Sequence, residues 1–138
     1  MLSVKTVENI LQNIQGMRVS SREMKDYVNA LTEEDFCALA TTYNIGRSGW
    51  DRTFYSNTSE CISYIEECED RGIRVNDEML DDKFLTNDLK RELVEIEHHH
   101  TVSSVSKSNG VYMHGWLDAK TDLLTVTKKG LEMLGEIR

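Results

Sequence analysis

The stretch that decides the fold class is "VEIEHHHTVSSVSKSNGVYMHGW", residues 94–116, where the pattern of the chain changes. Upstream of it, apolar residues recur every three to four positions, as they do in amphipathic helices. Within it, Asn109 and Gly110 form the dipeptide that accepts the positive φ angles of a type I′ turn between two strands. We therefore predict helices up to about residue 100 and then a β-hairpin whose paired positions sum to 219.

The residues after the hairpin predict one more strand and one more helix. The segment "LLTVT", 123–127, has the β-branched composition of a short strand, and "KKGLEMLGEI", 128–137, has helical spacing of its leucines. The predicted fold class is α+β and mostly helical, with about five or six helices and a small three-stranded antiparallel sheet near the C-terminus. A chain of 138 residues has the usual size of one domain. We expect a single domain, 1–138, in which a helical segment, residues 1–100, precedes the hairpin, strand and final helix, residues 101–138.

Upstream of the deciding stretch, the helix starts carry capping signals. Ser3 precedes the first periodic segment, Ser20 and Glu23 have capping-box spacing, and Thr32 precedes three acids. Helix resumes at Asn57 or Thr58 and ends at Gly72, and the segment from residue 76 to 100 forms one helix or two that meet near Thr86. Residues 44–57, "NIGRSGWDRTFYSN", break the period and predict a loop.

Negative charge is concentrated in the middle of the chain. The formal net charge is −8, and residues 58–100 alone contain 13 acidic and 5 basic side chains. A nucleic-acid-binding protein ordinarily gathers Lys and Arg on one face, because phosphate neutralisation drives its affinity. The charge therefore disfavours nucleic acid, without excluding it, and favours a protein partner with a basic surface.

The predicted loop and the acidic helix after it form the candidate partner-binding surface. Trp, Tyr and Arg are the residue types that dominate binding hot spots, and the loop contains all three. The alternative is that Trp50 and Phe54 fill the core while the arginines pair with nearby acids. The candidate partner-binding residues are Arg47, Trp50, Arg52, Tyr55, Glu66, Glu67, Glu69 and Asp70.

The histidines raise the question of a metal site. His98, His99 and His100 are consecutive, so they point ~100° apart on a helix and alternate on a strand, and they do not converge on one ion. The hairpin register places His114 far from His100. Glu95 and His99 have the i,i+4 spacing of a two-ligand arrangement, which leaves a metal-dependent enzyme built on the His98–His100 region as an alternative. We expect no catalytic residue, metal or cofactor, since the chain also contains none of the common catalytic motifs.

The cysteine pattern and the hydropathy indicate a compartment. Cys37, Cys61 and Cys68 form no CxxC pair, and an odd number argues against a closed disulfide framework, so we expect buried thiols. No apolar run reaches the ~20 residues of a membrane span, and the first residues lack the layout of a secretory signal. We expect a cytoplasmic protein that does not bind membranes.

The C-terminal region resembles a winged-helix domain. The matching residues are Leu124, Thr125, Gly130 and Leu134 in "LLTVTKKGLEMLGEI", preceded by "VSSVSKSNGVYMHGW" in the position of the wing, and the resemblance covers residues 86–138. It implies recognition of nucleic acid or of a protein. The cationic candidates it implies for nucleic acid are Lys107, Lys120, Lys128 and Lys129.

These observations favour a non-enzymatic role. The favoured function is a small acidic intracellular binding protein that modulates or inhibits a larger partner, such as a nucleic-acid enzyme. The profile is similar to that of small acidic accessory proteins of phages and mobile elements, which is an analogy rather than a deduction. The alternatives are a winged-helix DNA-binding transcriptional regulator and the metal-dependent enzyme.

Overall fold

The structure is a computed structural model that describes residues 2–19, 21–113, 116–117 and 120–137. The described residues are mostly helical and include one small antiparallel sheet. The elements in chain order are α1 (Val4–Ile14), α2 (Arg22–Asn29), α3 (Glu33–Ser48), α4 (Thr53–Ser56), α5 (Ser59–Asp70), α6 (Asp77–Phe84), α7 (Asn87–Ser104), β1 (Lys107–Ser108), β2 (Val111–Tyr112) and α8 (Leu123–Gly135).

Three of the eight helices in the described residues begin where the sequence predicts a cap. The hydroxyls of Ser3, Thr32 and Thr58 each accept a hydrogen bond from the backbone N–H three residues later, which confirms these three starts. The second helix is a correction, because its cap is Ser21, whose hydroxyl accepts from the N–H of Met24. The predicted cap, Ser20, lies outside the described residues.

The chain contains two compact units. Unit 1 comprises residues 1–49 and 94–138, and unit 2 comprises residues 50–93. Helix α7 begins in unit 2 and ends in unit 1. The single domain stays a prediction, because compact units of this kind can belong to one domain.

Unit 1 is built around α3. Every residue from Phe36 to Tyr43 is buried, and Ile45 and Gly46 follow them, so the helix is enclosed on almost all sides. Two glycines let α3 and α8 approach backbone to backbone. A Cβ at Gly46 would overlap the carbonyl oxygen of Val126, and a Cβ at Gly130 would overlap that of Thr42.

An aromatic layer fastens the hairpin to α3 within unit 1. The rings of Phe36 and Tyr112 stack with centroids 4.2 Å apart, and Trp116 meets Phe36 edge-on at 5.1 Å. The hydroxyl of Tyr112 donates to the carbonyl of Leu31 at 2.6 Å, and its N–H donates to the side-chain oxygen of Asn29 at 3.1 Å. The hairpin is therefore held by stacking and by two hydrogen bonds that its own pairing does not supply.

The predicted hairpin register is confirmed. Lys107 pairs with Tyr112 and Ser108 with Val111, so both pairs sum to 219. Asn109 and Gly110 have φ angles of 53° and 79°, as a type I′ turn requires. Each strand is only two residues long.

The predicted third strand is wrong, and so is the helix count. Residues 123–127 form the beginning of α8, and the described residues contain eight helices rather than five or six, with two strands rather than three. The buried positions of α8 include Leu123, Thr127, Gly130 and Leu134, whose 3.6-residue spacing places them on one helical face. Packing of this face outweighs the β-branched composition of "LLTVT".

Two predicted boundaries also change. The helical segment does not stop at residue 100, because α7 continues to Ser104. Thr101 is buried there, and its hydroxyl donates to the carbonyl of Glu97 at 3.0 Å.

The predicted loop 44–57 is partly helical, since α3 extends to Ser48 and α4 covers Thr53–Ser56. The alternative of two helices that meet near Thr86 is confirmed, and the hydroxyl of Thr86 accepts from the N–H of Leu89 at 3.2 Å.

Unit 2 consists of α4, α5, α6 and the first turns of α7. Four of its side chains are buried: Tyr55, Cys61, Cys68 and Leu93. Helix α5 ends as predicted, with Gly72 at a φ of 73° and the N–H of Ile73 bonded to the carbonyl of Cys68 at 2.8 Å.

The cysteines and the helix hydropathy bear on two further expectations. Cys37, Cys61 and Cys68 are all buried free thiols, as predicted. In the portion of the chain that the structure describes, no helix is both long enough and apolar enough to span a bilayer.

Candidate partner-binding surface

Helix α5 presents an exposed acidic face in unit 2. Thr58 caps the helix, and the seven-residue spacing of Cys61 and Cys68 turns one side inward. Glu66, Glu67, Glu69 and Asp70 are all exposed, as the sequence predicted for an outer face.

The acids of this face differ in their partners. Glu67 forms an ion pair with Arg71 at 3.1 Å, four residues later on the same helix. No ion pair within the described residues reaches Glu66, Glu69 or Asp70. These three carboxylates are therefore exposed charges without a paired cation in the part of the chain that the structure describes, and they contribute to the negative potential of unit 2.

An apolar side chain lies among these acids. Ile62 is 47% exposed and precedes Glu66 and Glu69 by four and seven residues, so the three share one helical face. This exposure is a correction, because the sequence pattern places Ile62 on the inward side of the helix together with Cys61 and Cys68. We call Ile62, Glu66, Glu69 and Asp70 the α5 acidic face.

The segment before α5 was predicted as an aromatic contact loop, but two of its four hot-spot residues, Arg52 and Tyr55, bind a carboxylate of unit 2. Arg52 forms a two-point ion pair with Asp81, with Nε 2.9 Å from Oδ1 and Nη2 2.8 Å from Oδ2. The hydroxyl of Tyr55 donates to the same carboxylate at 2.7 Å. One alternative from the sequence was that arginines of this segment pair with nearby acids. The structure shows such a pair for Arg52.

The protonation equilibria of this cluster follow from these contacts. The hydrogen bonds from Arg52 are the largest cause that holds the pKa of the Asp81 carboxyl below its usual value, and they outweigh partial burial. Burial, followed by the hydrogen bond to Asp81, raises the pKa of Tyr55 to about 12. At neutral pH the cluster thus contains a carboxylate, a guanidinium and a neutral phenol.

The aromatic side chains of unit 2 pack behind this cluster. Tyr55 stacks on Phe84 with ring centroids 5.8 Å apart, and Tyr64 meets the edge of Phe84 at 5.7 Å. Lys83 lies over the ring of Tyr64, with its Nζ 4.4 Å from the centroid. These contacts link α4, α5 and α6, so Tyr55 supports the unit rather than a contact surface.

The remaining two residues of the predicted loop surface lie in different units. Arg47 is exposed near the end of α3 in unit 1. Trp50 is half-buried in unit 2, its indole N–H has no acceptor among the described residues, and the Nζ of Lys90 lies 5.8 Å from its ring centroid. Within unit 2, Trp50 is therefore partly engaged by the side chain of Lys90.

Three of the four histidines, His98, His99 and His100, lie on α7. His99 and His100 are exposed and His98 is half-buried, and Glu95 is exposed one turn before His99. Across the described ranges, no group of three or more potential metal ligands converges. His114 lies outside these ranges. Glu95 and His99 thus supply at most two ligands, which is fewer than the three protein ligands of a catalytic zinc site.

The four lysines implied by the winged-helix resemblance have different surroundings. The Nζ of Lys107 donates to the carbonyl of Asn29 at 2.8 Å. Lys120 lies over the rings of Tyr43 and Trp116, at 5.4 and 5.0 Å, and burial lowers its pKa. Lys128 and Lys129 are exposed on α8. Two of the four are therefore engaged in contacts within unit 1.

A groove between α1 and α8 was not anticipated from the sequence. It is open to solvent, has a volume of about 550 Å³ and lies entirely within unit 1. Three leucines form its apolar floor, and polar side chains surround them. The sequence predicts a strand at 123–127, whereas Leu124 and Leu131, with their seven-residue spacing, lie on one face of helix α8. The lining residues are Glu8, Leu11, Gln12, Gln15, Leu124, Thr125, Lys128 and Leu131.

Comparison with known proteins gives no relative from which a function could be transferred: no protein-family model, curated protein or solved structure matches the chain.

Proposed function

We propose that the protein is a small acidic binding protein that modulates or inhibits a larger protein partner, and that the α5 acidic face contacts a basic surface of this partner. The observation that carries the proposal is the exposure of Glu66, Glu69 and Asp70 without an ion pair to any described residue. The proposed contact surface is smaller than the one predicted from the sequence. It leaves out Arg52 and Tyr55, because both bind Asp81.

The charge of unit 2 supports an electrostatic mode of association. Residues 50–93 contain twelve acidic and six basic side chains, which gives −6 of the net −8 of the whole chain. A patch of one sign raises the rate of encounter with an oppositely charged partner and excludes partners of like charge. The patch therefore supplies selectivity and speed of association more than raw affinity.

Apolar contact would supply the affinity that charge alone does not. Ile62 is positioned among the acids, and two other large apolar side chains of unit 2, Phe54 and Ile73, are 44% and 43% exposed. Interfaces combine a desolvated apolar centre with a charged rim. Ile62 fits the centre of such a contact, and Glu66, Glu69 and Asp70 fit its rim.

Affinity capture from a native lysate tests the proposal. Two variants that each lose three negative charges, one on the α5 acidic face and one elsewhere, distinguish the position of the charges from their number. The test variant carries Glu66→Gln, Glu69→Gln and Asp70→Asn. The matched control carries Asp82→Asn, Glu92→Gln and Glu95→Gln, three exposed acids elsewhere, so both variants lose the same charge. A second test variant, Ile62→Ala, removes the apolar side chain alone.

The expected result is selective loss of one partner. Wild type and the matched control should recover the same basic protein, the α5 variant should recover at least ~10-fold less of it, and raising the salt concentration should weaken the wild-type complex. Equal recovery by the α5 variant and by its control would show that the α5 acidic face is not the contact. Recovery that is insensitive to Ile62→Ala would reject its role as the apolar centre.

The alternative function is a DNA-binding regulator of winged-helix type, as the resemblance of residues 86–138 implies. Its cationic side chains with the most exposed surroundings are Lys128 and Lys129. This function requires affinity for duplex DNA that falls steeply with salt and that decreases in the Lys128→Ala, Lys129→Ala variant. Fluorescence anisotropy with a labelled duplex measures both, and a flat salt response would remove the alternative.

A further inference from the structure

The turn of the hairpin places an asparagine before a glycine on the surface of unit 1. Asn109 and Gly110 are both exposed, and apart from chain neighbours no atom lies within 4 Å of the position that a Cβ of Gly110 would occupy. Asn109 is the one asparagine of the chain that a glycine follows. Because glycine has no Cβ, the backbone nitrogen after Asn109 is not shielded by a side chain, whereas the nitrogen after every other asparagine is.

The two residues carry the groups for an intramolecular reaction. The backbone nitrogen of Gly110 attacks the side-chain Cγ of Asn109 and forms an N–C bond. The Cγ–Nδ2 bond then breaks, and the amide nitrogen leaves as ammonia with the proton that the Gly110 nitrogen gives up. Water opens the resulting cyclic imide at either carbonyl, which yields aspartate or isoaspartate. The sum exchanges NH for O, consumes one water, needs no oxidant or reductant and adds one negative charge.

The closed turn holds the reacting atoms apart. Asn109 has a φ of 53°, as the first central residue of a type I′ turn does, and ψ at that position is about +30°. This ψ places the backbone nitrogen of Gly110 on the side of the Cα–C bond opposite to the Cβ of Asn109. Closure of the imide ring requires both on the same side. The reaction therefore needs a large rotation about this bond, and the pairing of Ser108 with Val111 opposes it.

The docking of Tyr112 keeps this turn closed. The hairpin itself has only two residue pairs, and a two-stranded hairpin alone is marginally stable in water. The ring of Tyr112 stacks on Phe36, its hydroxyl donates to the carbonyl of Leu31, and its N–H donates to the side-chain oxygen of Asn29. The turn is thus expected to open when Tyr112 leaves these partners.

We propose that Asn109 is a deamidation site that the docking of Tyr112 restrains, so that the reaction takes place when the hairpin leaves unit 1. In isoaspartate the chain runs through the side-chain carbon, which adds one atom to the backbone of the turn. A type I′ turn has no place for that atom, so the modified hairpin does not recover its pairing and a transient opening becomes permanent. The inference rests on the hairpin alone and does not depend on the function proposed above.

Peptide mass spectrometry of the full-length protein, incubated at mildly alkaline pH, tests the proposal. Folded wild type should form aspartate and isoaspartate at residue 109 at least ~10-fold more slowly than the same protein in urea, because the rate follows the population of the open hairpin. Tyr112→Phe removes the hydrogen bond to Leu31, and Asn29→Ala removes the acceptor of the Tyr112 N–H. Each should raise the rate in the folded protein by ~3–10-fold, the usual effect of one hydrogen bond on a local equilibrium.

The controls separate release of the hairpin from general loosening of unit 1. Tyr27→Phe removes a phenolic hydroxyl elsewhere in unit 1, where it accepts from the side-chain amide of Asn13, and should leave the rate at residue 109 unchanged. Asn57 and Asn76 are slow internal references in every sample, because threonine and aspartate follow them. Circular dichroism verifies that each variant is folded.

Two results would overturn the proposal. One is modification of folded wild type as fast as in urea, which would show that the closed turn does not restrain Asn109. The other is an equal rate in wild type, Tyr112→Phe and Asn29→Ala, which would show that the docking of Tyr112 does not control the reaction.

Discussion

Units 1 and 2 are stabilised in different ways. Unit 1 encloses α3 on almost all sides, and the glycine pair Gly46 and Gly130 allows backbone contact between α3 and α8. Unit 2 has four buried side chains, and the carboxylate of Asp81 joins α6 to α4 through Arg52 and Tyr55. One unit thus depends on close apolar packing, whereas the other depends on a polar cluster with aromatic rings behind it.

The difference predicts different sensitivities. Close packing leaves no room for added atoms. The stability of unit 1 should therefore fall strongly when a substitution enlarges a buried residue, and it should change little with pH. A charged cluster responds to pH and to loss of a hydrogen-bonding group, so unit 2 should show the opposite behaviour. The two tryptophans make this measurable, since Trp116 lies in unit 1 and Trp50 in unit 2. Trp50→Phe and Trp116→Phe backgrounds therefore report on one unit each.

The largest expected effect is that of Gly130→Ala. The added methyl group would overlap the backbone of Thr42, and backbone atoms cannot rotate away as a flexible side chain can. We expect the free energy of unfolding to fall by about 3 kcal/mol or more, beyond the usual cost of overpacking. Urea unfolding followed by Trp116 fluorescence in the Trp50→Phe background measures it.

The matched control is Gly135→Ala in the same helix. Gly135 has no atom near the position of an added Cβ, and alanine favours the helix by up to ~1 kcal/mol. This variant should be as stable as wild type or slightly more stable. If Gly130→Ala were equally well tolerated, the close approach of α3 and α8 would be wrong.

The second effect is that of Asp81→Ala in unit 2. The substitution leaves the buried hydroxyl of Tyr55 without its acceptor, and an unpaired buried polar group costs about 1–3 kcal/mol. The loss should appear in the fluorescence of Trp50. Asp82→Ala is the control, because Asp82 is the exposed neighbour and should change stability by less than ~0.5 kcal/mol. Equal effects of the two substitutions would contradict the cluster.

At acid pH, wild type and Asp81→Ala should have the same free energy of unfolding. The pKa of Asp81 is lowered in the folded state, so its ionised form stabilises the protein above the ordinary carboxyl pKa of ~3.9. This contribution is lost as pH falls through the lowered folded-state value. Urea unfolding at a series of pH values should therefore show the two proteins converging in acid, while the deficit of Gly130→Ala stays constant. A pH-independent deficit for Asp81→Ala would mean that the carboxylate acts through packing alone.

The features of the fold that the sequence predicts are those set by local chemistry. Capping at Ser3, Thr32 and Thr58 follows from side chains that bond a nearby N–H, and the hairpin register follows from the φ angles of Asn109 and Gly110. These interactions span three or four residues. They can therefore be recognised without knowing what packs against them.

The features that local chemistry does not predict are set by packing. Residues 123–127 are β-branched and leucine-rich, yet they form a helix because Leu123 and Thr127 are buried and Gly130 lies against the backbone of Thr42 in α3. Thr101 continues α7 in the same way, buried and bonded to Glu97. Tertiary contacts between distant residues outweigh a preference that is worth at most ~1 kcal/mol per residue.

The candidate surface shows the same division. Exposure of the acids on α5 follows from helical spacing, because Cys61 and Cys68 turn the opposite side inward. The engagement of Arg52 by Asp81 joins residues 29 positions apart, and no local pattern indicates it. The sequence therefore predicts which acids of α5 are exposed. It does not predict that Arg52 and Tyr55 are bound to Asp81.

The smallest expected effect on stability is that of neutralising Glu66, Glu69 and Asp70 together. These side chains are exposed and form no ion pair to a described residue, so their removal breaks no contact. Reduced repulsion within unit 2 offsets any loss of favourable charge effects, and surface substitutions of this kind usually change stability by less than ~0.5 kcal/mol. Urea unfolding followed by Trp50 fluorescence measures the change. A decrease in the free energy of unfolding above ~1 kcal/mol would show that these acids stabilise unit 2. An unchanged free energy of unfolding would show that they do not, as expected for side chains that are proposed to contact a partner.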